Sequence, residues 1–268
     1  MNSHQDRMLR KYGLAVNANS DQGQTSTSLD YPAKELLEHL ASSEKTARRV
    51  VARFKAFLNH PIIEVGGGLG QITNELLKTD VEVTSLEPDP VLSEILRSRY
   101  SQRVSLKVFQ TTVGNFVNEP RVKGQFGSAV YVNVLEHIED DLNELKKTFD
   151  LLMPGGKLVV FSPALPGLYG SMDGLSKHFR RYSKTGLVQT IENAGFKVIH
   201  KEYFDFVGIV PYFFMYRLLK VRSIGGGGMF IYDHLILPIS TQLSKLSRGT
   251  LIGKNLLVVG EKIEKRTN

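Results

Sequence analysis

A glycine-rich turn follows the first apolar segment of the chain that could form a buried strand. Residues 64–70 read EVGGGLG, so the turn contains Gly66, Gly67, Gly68 and Gly70. Glycine permits a tight turn and lets a ligand approach the backbone closely. A helix is predicted to begin at residue 71, and its N-terminus would face the same ligand. The turn is therefore the first candidate for a cofactor site.

The spacing of the glycines distinguishes two classes of cofactor. A dinucleotide site has the pattern G-x-G-x-x-G, in which the helix N-terminus holds a pyrophosphate. The third glycine of that pattern would stand where this chain has Gln71. Glu64, two residues before the first glycine, would repel a pyrophosphate but suits the ammonium of an amino acid. The pattern therefore favours S-adenosylmethionine (SAM), which carries an ammonium and a sulfonium, over NAD(P).

A second acid, Glu87, ends the second predicted strand and is followed by Pro88. It lies about 20 residues beyond the glycine turn, where a carboxylate can accept hydrogen bonds from both hydroxyls of a ribose. The turn, Glu64 and Glu87 together predict a SAM site more specifically than the turn does alone.

Two histidines are candidates for a base. His178 lies in a long loop after the fifth predicted strand, a position above the carboxyl ends of the strands, and His137 follows the fourth strand. Methyl transfer to a hydroxyl or an ammonium needs a base, a role that histidine often fills. We take His178 first and His137 second. The alternative is structural: His178 would pin its loop, and His137 would pack at the start of the next helix.

Two adjacent arginines, Arg180 and Arg181, precede Tyr182. Arginine forms bidentate pairs with carboxylates and phosphates, so either side chain could hold an anionic acceptor. The alternative is a structural salt bridge, for example to Asp173. Arg181 and Tyr182 join the two histidines as candidates for the catalytic site.

Apolar segments alternate with amphipathic helical segments, which is typical of a mostly parallel sheet with helices on both faces. Strands are predicted at residues 61–65, 81–86, 104–109, 126–132, 157–161, 196–203 and 255–261. Helices are predicted at residues 33–58, 71–78, 91–99, 142–152 and 185–194. The Pro-Gly-Gly of residues 154–156 predicts a break between the helix at 142–152 and the fifth strand.

The domain organisation follows from these segments. Residues 1–30 are polar and are predicted to be a flexible leader, and residues 31–268 are predicted to form a single domain. Residues 205–253 separate the last two strands and are interpreted as an inserted helical cap. The apolar segment 204–222 has two interpretations, a lid over the active site or an interfacial helix in peripheral contact with a membrane or lipid.

With these motifs in place, the sequence resembles the class I SAM-dependent methyltransferases over residues 62–260. Residues 64–70 match the family's first motif, and Glu87 matches its ribose-binding acid. Asn133, Val134 and Leu135 open the loop after the fourth strand, which in this family lies beside the cofactor and faces the reaction site. Residues 153–158 match the turn into the fifth strand. The resemblance implies a seven-stranded Rossmann-like α/β sheet with an antiparallel last strand.

The sequence departs from this family at two places. Many relatives place an acid after the third strand to hold the adenine amine, whereas this chain has Thr111 and Thr112, which we assign to that contact. The Asn/Asp-Pro-Pro-aromatic motif of many nucleobase methyltransferases is absent, since Val134 follows Asn133. This second departure disfavours methylation of DNA bases.

A narrower resemblance concerns residues 168–182. Leu168-Tyr169-Gly170, Asp173 and the His-x-Arg-Arg-Tyr motif that begins at His178 look like a bacterial subgroup of type 11/12-like methyltransferases. That subgroup is often associated with glycosyltransferases and with envelope or secondary metabolism. The resemblance implies no particular acceptor.

Composition excludes several kinds of site. The 268 residues contain no cysteine, which rules out disulfides and thiolate chemistry. The seven histidines have no metal-ligand spacing along the chain, so no metal is predicted. The net charge of +7 permits anionic partners, but the basic residues form scattered pairs, so binding of nucleic acid is not expected. We expect a cytoplasmic protein, because no signal peptide or membrane span is evident. The oligomeric state is left open.

These observations predict a SAM-dependent methyltransferase that acts on a small-molecule or lipid-like acceptor, at a hydroxyl or carboxylate oxygen. One alternative is an RNA or protein methyltransferase on the same fold. The other is a non-catalytic protein of the same fold that binds SAM; an NAD(P) dehydrogenase is disfavoured by Gln71.

Overall fold

The computed structural model describes residues 33–79, 81–221, 238–240, 242 and 252–263. The strands are β1 (Ile62–Val65), β2 (Val83–Leu86), β3 (Leu106–Phe109), β4 (Phe126–Val132), β5 (Leu152–Pro163), β6 (Phe196–Phe204) and β7 (Asn255–Lys262). The α-helices are α1 (Ala33–Phe54), α2 (Gln71–Leu76), α3 (Pro90–Arg99), α4 (Val113–Phe116), α5 (Asp141–Leu151), α6 (Ser171–Leu175), α7 (Lys184–Asn193) and α8 (Ile209–Tyr212). A π-helical turn, Phe213–Leu218, continues α8.

The seven strands form one sheet in the order β3-β2-β1-β4-β5-β7-β6. Strands β1 to β5 pair in parallel, and β7 lies antiparallel between β5 and β6. This arrangement confirms the predicted seven-stranded, mostly parallel α/β fold with an antiparallel last strand. The order reverses between β1 and β4, which is the kind of switch point where open α/β sheets bind ligands.

Both faces of the sheet are buried under helices. Ile62 packs on one face in a cluster that includes Phe54 of α1, and its neighbour Ile63 packs on the other face with Tyr131. Adjacent strand residues point to opposite faces, so a fully buried strand such as β1 contributes side chains to two cores at once. The sheet is therefore a rigid platform for the loops at its carboxyl edge.

Polar side chains at the starts of several helices fix those loops. Asp89 caps α3 by accepting from the backbone N–H groups of Val91 and Leu92. Thr112 caps α4, Asp140 caps α5 and Ser183 caps α7 in the same way. A side-chain cap satisfies N–H groups that have no partner within the helix, and it sets where the helix begins.

The structure differs from the predicted elements in the start of β5 and in two short helices. Strand β5 begins at Leu152, and the Pro-Gly-Gly of residues 154–156 lies inside it as an irregularity, since the pairing with β4 shifts from Phe126–Leu152 to Ser128–Lys157. Helices α4 and α6 were not predicted. They have four and five residues, too few to show a helical period.

Two predicted segments fall largely outside the described residues. The leader at residues 1–30 lies there entirely, and the cap at residues 205–253 is described only at 205–221, 238–240, 242 and 252–253. The first of these stretches contains α8 and the π-helical turn. Within the part of the chain that is described, no helix is long and apolar enough to cross a bilayer.

A bidentate ion pair joins the end of α1 to β6. Arg53 Nε donates to Glu202 Oε1 at 2.7 Å, and a second guanidinium nitrogen donates to Oε2. Burial alone would raise the pKa of Glu202, but hydrogen bonds and the charge of Arg53 lower it from 4.5 to about 2. The carboxylate therefore stabilises the fold above pH 4.5, and this contribution is lost as the pH falls toward 2.

We expect Glu202→Gln to lower the free energy of unfolding by about 3 kcal/mol at pH 7, because Arg53 is left partly buried without a counter-charge. The deficit should shrink as the pH falls from 4.5 toward 2, since the wild-type carboxylate is then being protonated. Urea unfolding of both proteins across this range measures it. Glu94→Gln, at an exposed pair with Arg97, is the control and should change little. A deficit that does not change with pH would contradict the assignment.

Candidate functional site

The glycine turn after β1 is held against two neighbouring strands. The N–H of Gly66 donates to the carbonyl of Leu86 at 2.8 Å, and the N–H of Gly70 closes the turn on the carbonyl of Gly67 at 2.9 Å. Gly66, Gly68 and Gly70 all have positive φ, at +76°, +53° and +85°. Glycine adopts this backbone region without the steric cost that other residues meet.

Two of the glycines are also required by packing. A Cβ on Gly66 would lie 2.5 Å from Cγ2 of Val134, and one on Gly67 would lie 2.2 Å from Oγ of Ser85. A Cβ on Gly68 would have no atom within 4 Å. Gly68 therefore presents bare backbone to open space, which is where a ligand can come close.

We expect Gly68→Ala to fold but to bind SAM at least tenfold more weakly, because the added methyl would project into that open space. The matched control is Gly124→Ala, which has the same kind of backbone, with φ of +68° and no atom within 4 Å of an added Cβ. Both variants carry a backbone cost of about 1–2 kcal/mol. The midpoint temperature of thermal unfolding should therefore fall by similar amounts in the two variants, whereas calorimetric titration should show weaker SAM binding only in Gly68→Ala. Equal SAM affinities would show that the space over Gly68 is not the cofactor's.

Glu87 is buried at the tip of β2 and connects this strand to the turn. Its Oε2 accepts from the N–H of Gly68 at 2.8 Å, and its Oε1 accepts from the N–H of Asp89 at 3.0 Å. Each carboxylate oxygen has a further lone pair for a ligand hydroxyl. Pro88, the next residue, is exposed beside it. The predicted ribose acid thus lies directly on the predicted cofactor turn.

Glu64 lies beneath the turn with 2% of its surface exposed. The hydroxyl of Thr73 donates to its Oε2 at 2.6 Å, and its Oε1 has no hydrogen-bond partner among the described residues. Burial raises the pKa of Glu64 to about 7. A buried acid of this kind is stabilised as the anion by a nearby cation, as was expected for an ammonium group.

The residues predicted to lie beside the adenine and the reacting methyl group differ in exposure, and some already have a structural role. Thr112 is exposed, but its hydroxyl accepts from the N–H of Asn115 as the cap of α4. Thr111 is half-buried next to it. Asn133 is exposed in a left-handed conformation at φ of +53°, Val134 packs on Gly66, and Leu135 is fully buried. The loop after β4 therefore borders the glycine turn through Val134.

The two predicted histidines are in contact. Their rings meet edge to face with centroids 4.6 Å apart, although they come from the loops after β4 and β5. The N–H of Phe179 donates to the carbonyl of Glu136 at 2.9 Å, which holds the two loops together. Partial burial and the neighbouring His178 lower the pKa of His137, so it is a neutral imidazole near pH 7.

His178 is oriented by a buried carboxylate, Asp173 in α6. Oδ1 of Asp173 lies 2.9 Å from Nδ1 of His178 and accepts from Nε of Arg181 at 2.8 Å. Oδ2 accepts from the N–H of Gly170 and from the hydroxyl of Tyr212, both at 2.9 Å. Burial alone would raise the pKa of Asp173, but the hydrogen bonds from His178 and Arg181 hold it well below its usual range.

Arg181 belongs to this internal network. Besides Asp173 it donates to the carbonyl of Ala164 at 3.1 Å, and its guanidinium lies 4.3 Å above the ring of Tyr212. Only 4% of its side chain is exposed. Of the two roles that the sequence left open, the salt bridge to Asp173 is the one the geometry favours.

Arg180 and Tyr182 connect the loop after β5 to the start of α5. Arg180 pairs with Oδ2 of Asp141 at 2.9 Å, and the hydroxyl of Tyr182 donates to the same oxygen at 2.7 Å. Tyr182 is buried, so its hydroxyl is a support for the loop. The backbone of Tyr182 also returns to the end of β5, where it bridges to Ala164.

Glu136 is a candidate functional residue that was not predicted from the sequence. It is fully buried between the two histidine loops, where its Oε2 accepts from the hydroxyl of Ser162 at 3.0 Å. Its Oε1 has no hydrogen-bond partner among the described residues, and burial raises its pKa to about 7. The signal in the sequence was its place directly before His137, because an acid next to a candidate base can belong to the same site.

Comparison with known proteins gives two kinds of likeness. Residues 34–201 match the methyltransferase domain family. Ribosomal RNA small subunit methyltransferase A from Mycobacterium tuberculosis (strain ATCC 25177 / H37Ra) is 35% identical over 88 residues, which are 32% of this chain and 28% of that protein. The chain thus spans less than a third of the length of the curated relatives it matches.

Solved structures extend the likeness over most of the chain. A SAM-dependent methyltransferase from Archaeoglobus fulgidus has a TM-score of 0.57 at 15% identity and covers 85% of this chain and 99% of its own. A Haloferax volcanii protein, solved in complex with the Trm112 methyltransferase activator, has a TM-score of 0.58 at 15% identity, with coverages of 88% and 97%. At this identity the likeness shows the fold alone.

Proposed function

Because this chain belongs to the methyltransferase domain family, we propose that it transfers the methyl group of SAM to an oxygen atom of a small-molecule or lipid-like acceptor. The observation that carries the proposal is the contact between Glu87 and the N–H of Gly68 at 2.8 Å. It fixes a carboxylate beside a stretch of bare backbone at the switch point of the sheet, an arrangement suited to a nucleoside with a free ribose.

We assign the ribose, the ammonium and the adenine of SAM to groups at this edge. Glu87 would accept from the ribose hydroxyls, and the turn at Gly66–Gly68 would lie against the cofactor. Glu64, with one carboxylate oxygen lacking a partner among the described residues, would attract the ammonium. Thr111 is the remaining candidate for the adenine, because the hydroxyl of Thr112 is engaged in its cap.

The proposed methyl transfer needs no covalent intermediate with the protein. SAM supplies an activated methyl group, so the site must align the acceptor in line with the sulfonium and exclude water. An acceptor hydroxyl must also lose its proton. His178, oriented by Asp173, and His137, held neutral, are the side chains suited to receive it.

An acceptor with apolar character is supported by the surface beside this network. Tyr212 contacts Asp173, and the π-helical turn that follows it exposes Phe213, Phe214 and Leu218. These side chains could line the path of an acyl or lipid-linked acceptor. Peripheral contact of residues 204–222 with a membrane is part of the same proposal, and cytoplasmic localisation remains a prediction from the sequence. So does the single-domain organisation of residues 31–268.

An RNA acceptor is the second candidate, because the curated relatives named above are ribosomal RNA methyltransferases. That match covers only 88 residues, and Asn133 is not followed by the Pro-Pro-aromatic sequence that many nucleobase methyltransferases have. The small-molecule proposal is therefore preferred.

The test is a transfer assay with methyl-labelled SAM and separated cell fractions of polar metabolites, solvent-extracted lipids, RNA and protein. We expect label in the metabolite or lipid fraction, and we expect Glu87→Ala to abolish it. The control is Glu82→Ala, at an exposed position just before β2, which should retain the label. Label in RNA or protein would overturn the proposed acceptor class. SAM binding without transfer to any fraction would support a non-catalytic SAM-binding protein.

A further inference from the structure

Three side chains that could bind a metal converge where the loops after β4 and β5 meet. One ligand atom from each of Glu136, His137 and His178 lies within 4.8 Å of the other two. From this arrangement we propose that the three residues bind a divalent transition-metal ion.

The carboxylate of Glu136 is the first observation in favour. It is fully buried, and only one of its two oxygens has a hydrogen-bond partner in the described structure, the hydroxyl of Ser162. A buried oxygen without a partner is costly, and a metal bond would satisfy it. This residue is the anchor of the site, because its side chain is enclosed by both loops.

The second observation is the orientation of His178. Its Nδ1 faces Oδ1 of Asp173 at 2.9 Å, which leaves Nε2 for another partner. Histidine ligands of metals regularly donate their second ring N–H to a carboxylate, which fixes the ring and raises its basicity. Asp173 is itself held by Arg181 and by the N–H of Gly170, so the imidazole is positioned before any ion arrives.

The third ligand, His137, completes the set from the exposed side. Tetrahedral bonds of about 2.0–2.1 Å place neighbouring ligand atoms about 3.4 Å apart. The atoms must therefore move closer by about an ångström, and rotation of the exposed His137 ring allows this. An exposed third ligand also gives the ion a path of entry from solvent.

The donor set selects the kind of ion. Two imidazoles and one carboxylate suit zinc, iron, cobalt or nickel, whereas magnesium and calcium prefer sites made only of oxygen. Three protein ligands leave at least one coordination position open, as in catalytic sites and unlike structural ones.

The open position deepens the proposed function, on which this step rests. It would be directed toward the reaction side of the loop after β4, where an acceptor oxygen could occupy it. A bound cation lowers the pKa of a coordinated hydroxyl, so the acceptor would lose its proton to solvent at the open position. His137 and His178 would then act as metal ligands in place of bases. Acceptors with a hydroxyl next to a second oxygen would then be preferred, because they can chelate the ion.

The experiment is a calorimetric titration of chelator-treated, full-length protein with Zn²⁺, repeated with Co²⁺ to record the visible absorption of the bound ion. We expect one ion per chain with a micromolar or lower dissociation constant. Glu136→Gln and His178→Gln should each weaken binding at least 100-fold. The control is His60→Gln, an exposed histidine outside the cluster, which should bind as wild type.

Circular dichroism checks that each variant is folded. If Glu136→Gln does not fold, His137→Gln, at the exposed position, replaces it in the titration. Zn²⁺ binding that His60→Gln weakens and the cluster variants do not would overturn the proposal, as would no binding by the wild type. Titration with SAM in the absence of metal separates the two proposals. Intact SAM binding with no metal binding defeats only the metal site, whereas metal binding without SAM binding defeats only the proposed transfer.

Discussion

Replacing Glu87 by alanine is expected to weaken SAM binding by about 1–3 kcal/mol, which is roughly 5- to 150-fold in the dissociation constant. Two effects combine. The ribose hydroxyls lose a charged acceptor, and the N–H of Gly68 loses the oxygen that holds it at 2.8 Å. Glu87→Gln keeps an oxygen but not the charge, so its loss should be smaller.

Calorimetric titration with SAM, S-adenosylhomocysteine and NADH measures this prediction. Glu82→Ala is the matched control, because it removes an exposed glutamate just before the same strand and should bind as wild type. Binding of NADH in place of SAM would show that the glycine turn holds a dinucleotide. Unchanged SAM affinity in Glu87→Ala would remove Glu87 from the cofactor site.

Replacing Asp173 by alanine is expected to cost about 3–5 kcal/mol of folding stability, because it leaves the charge of Arg181 buried and unpaired. Four donors lose their acceptor at once, from His178, Arg181, Gly170 and Tyr212. The pKa of Asp173 is held well below its ordinary value of 3.8, so the carboxylate stabilises the fold above that value. The difference between wild type and variant should therefore stay constant above a pH of about 5.

Urea unfolding of single and double variants tests the cause of that loss. In Asp173→Ala combined with Arg181→Met the stranded charge is absent, so part of the lost stability should return. Strictly additive losses would show that the two side chains are not energetically coupled. A loss below 1 kcal/mol in the single variant would show that the buried network has little influence on stability.

The residues proposed to hold the cofactor could be identified from the sequence because their signals are local in the chain. A turn that presents bare backbone needs glycine, and Gly66, Gly67 and Gly68 were identified on that ground. Glu87 was predicted from its distance along the chain. What the sequence did not reveal is that Glu87 also binds the N–H of Gly68, since this contact depends on how β1 and β2 pair.

The proposed acceptor side of the site was harder to predict because it is assembled from two loops that are distant in the chain. A search for metal-ligand spacing along the chain passes over Glu136, His137 and His178, whose proximity exists only in the folded protein. Arg181 shows the same limit. Adjacent arginines suggest a site that binds an anionic ligand, but packing decides the actual partner of each side chain. Arg181 is buried and pairs with Asp173.

The bridge between Ala164 and Tyr182 brings together the two ends of the segment between them, so that segment could be replaced by one from a related protein. Its two ends meet beside β5, so a replacement of different length must begin and end at the same two neighbouring points. It must also keep the buried pair of Asp173 and Arg181 or replace both residues together. The entropic cost of closing a longer loop there rises slowly with its length. On the proposed function, exchange of residues 165–181 between relatives would then change the acceptor preference without altering the sheet or the glycine turn.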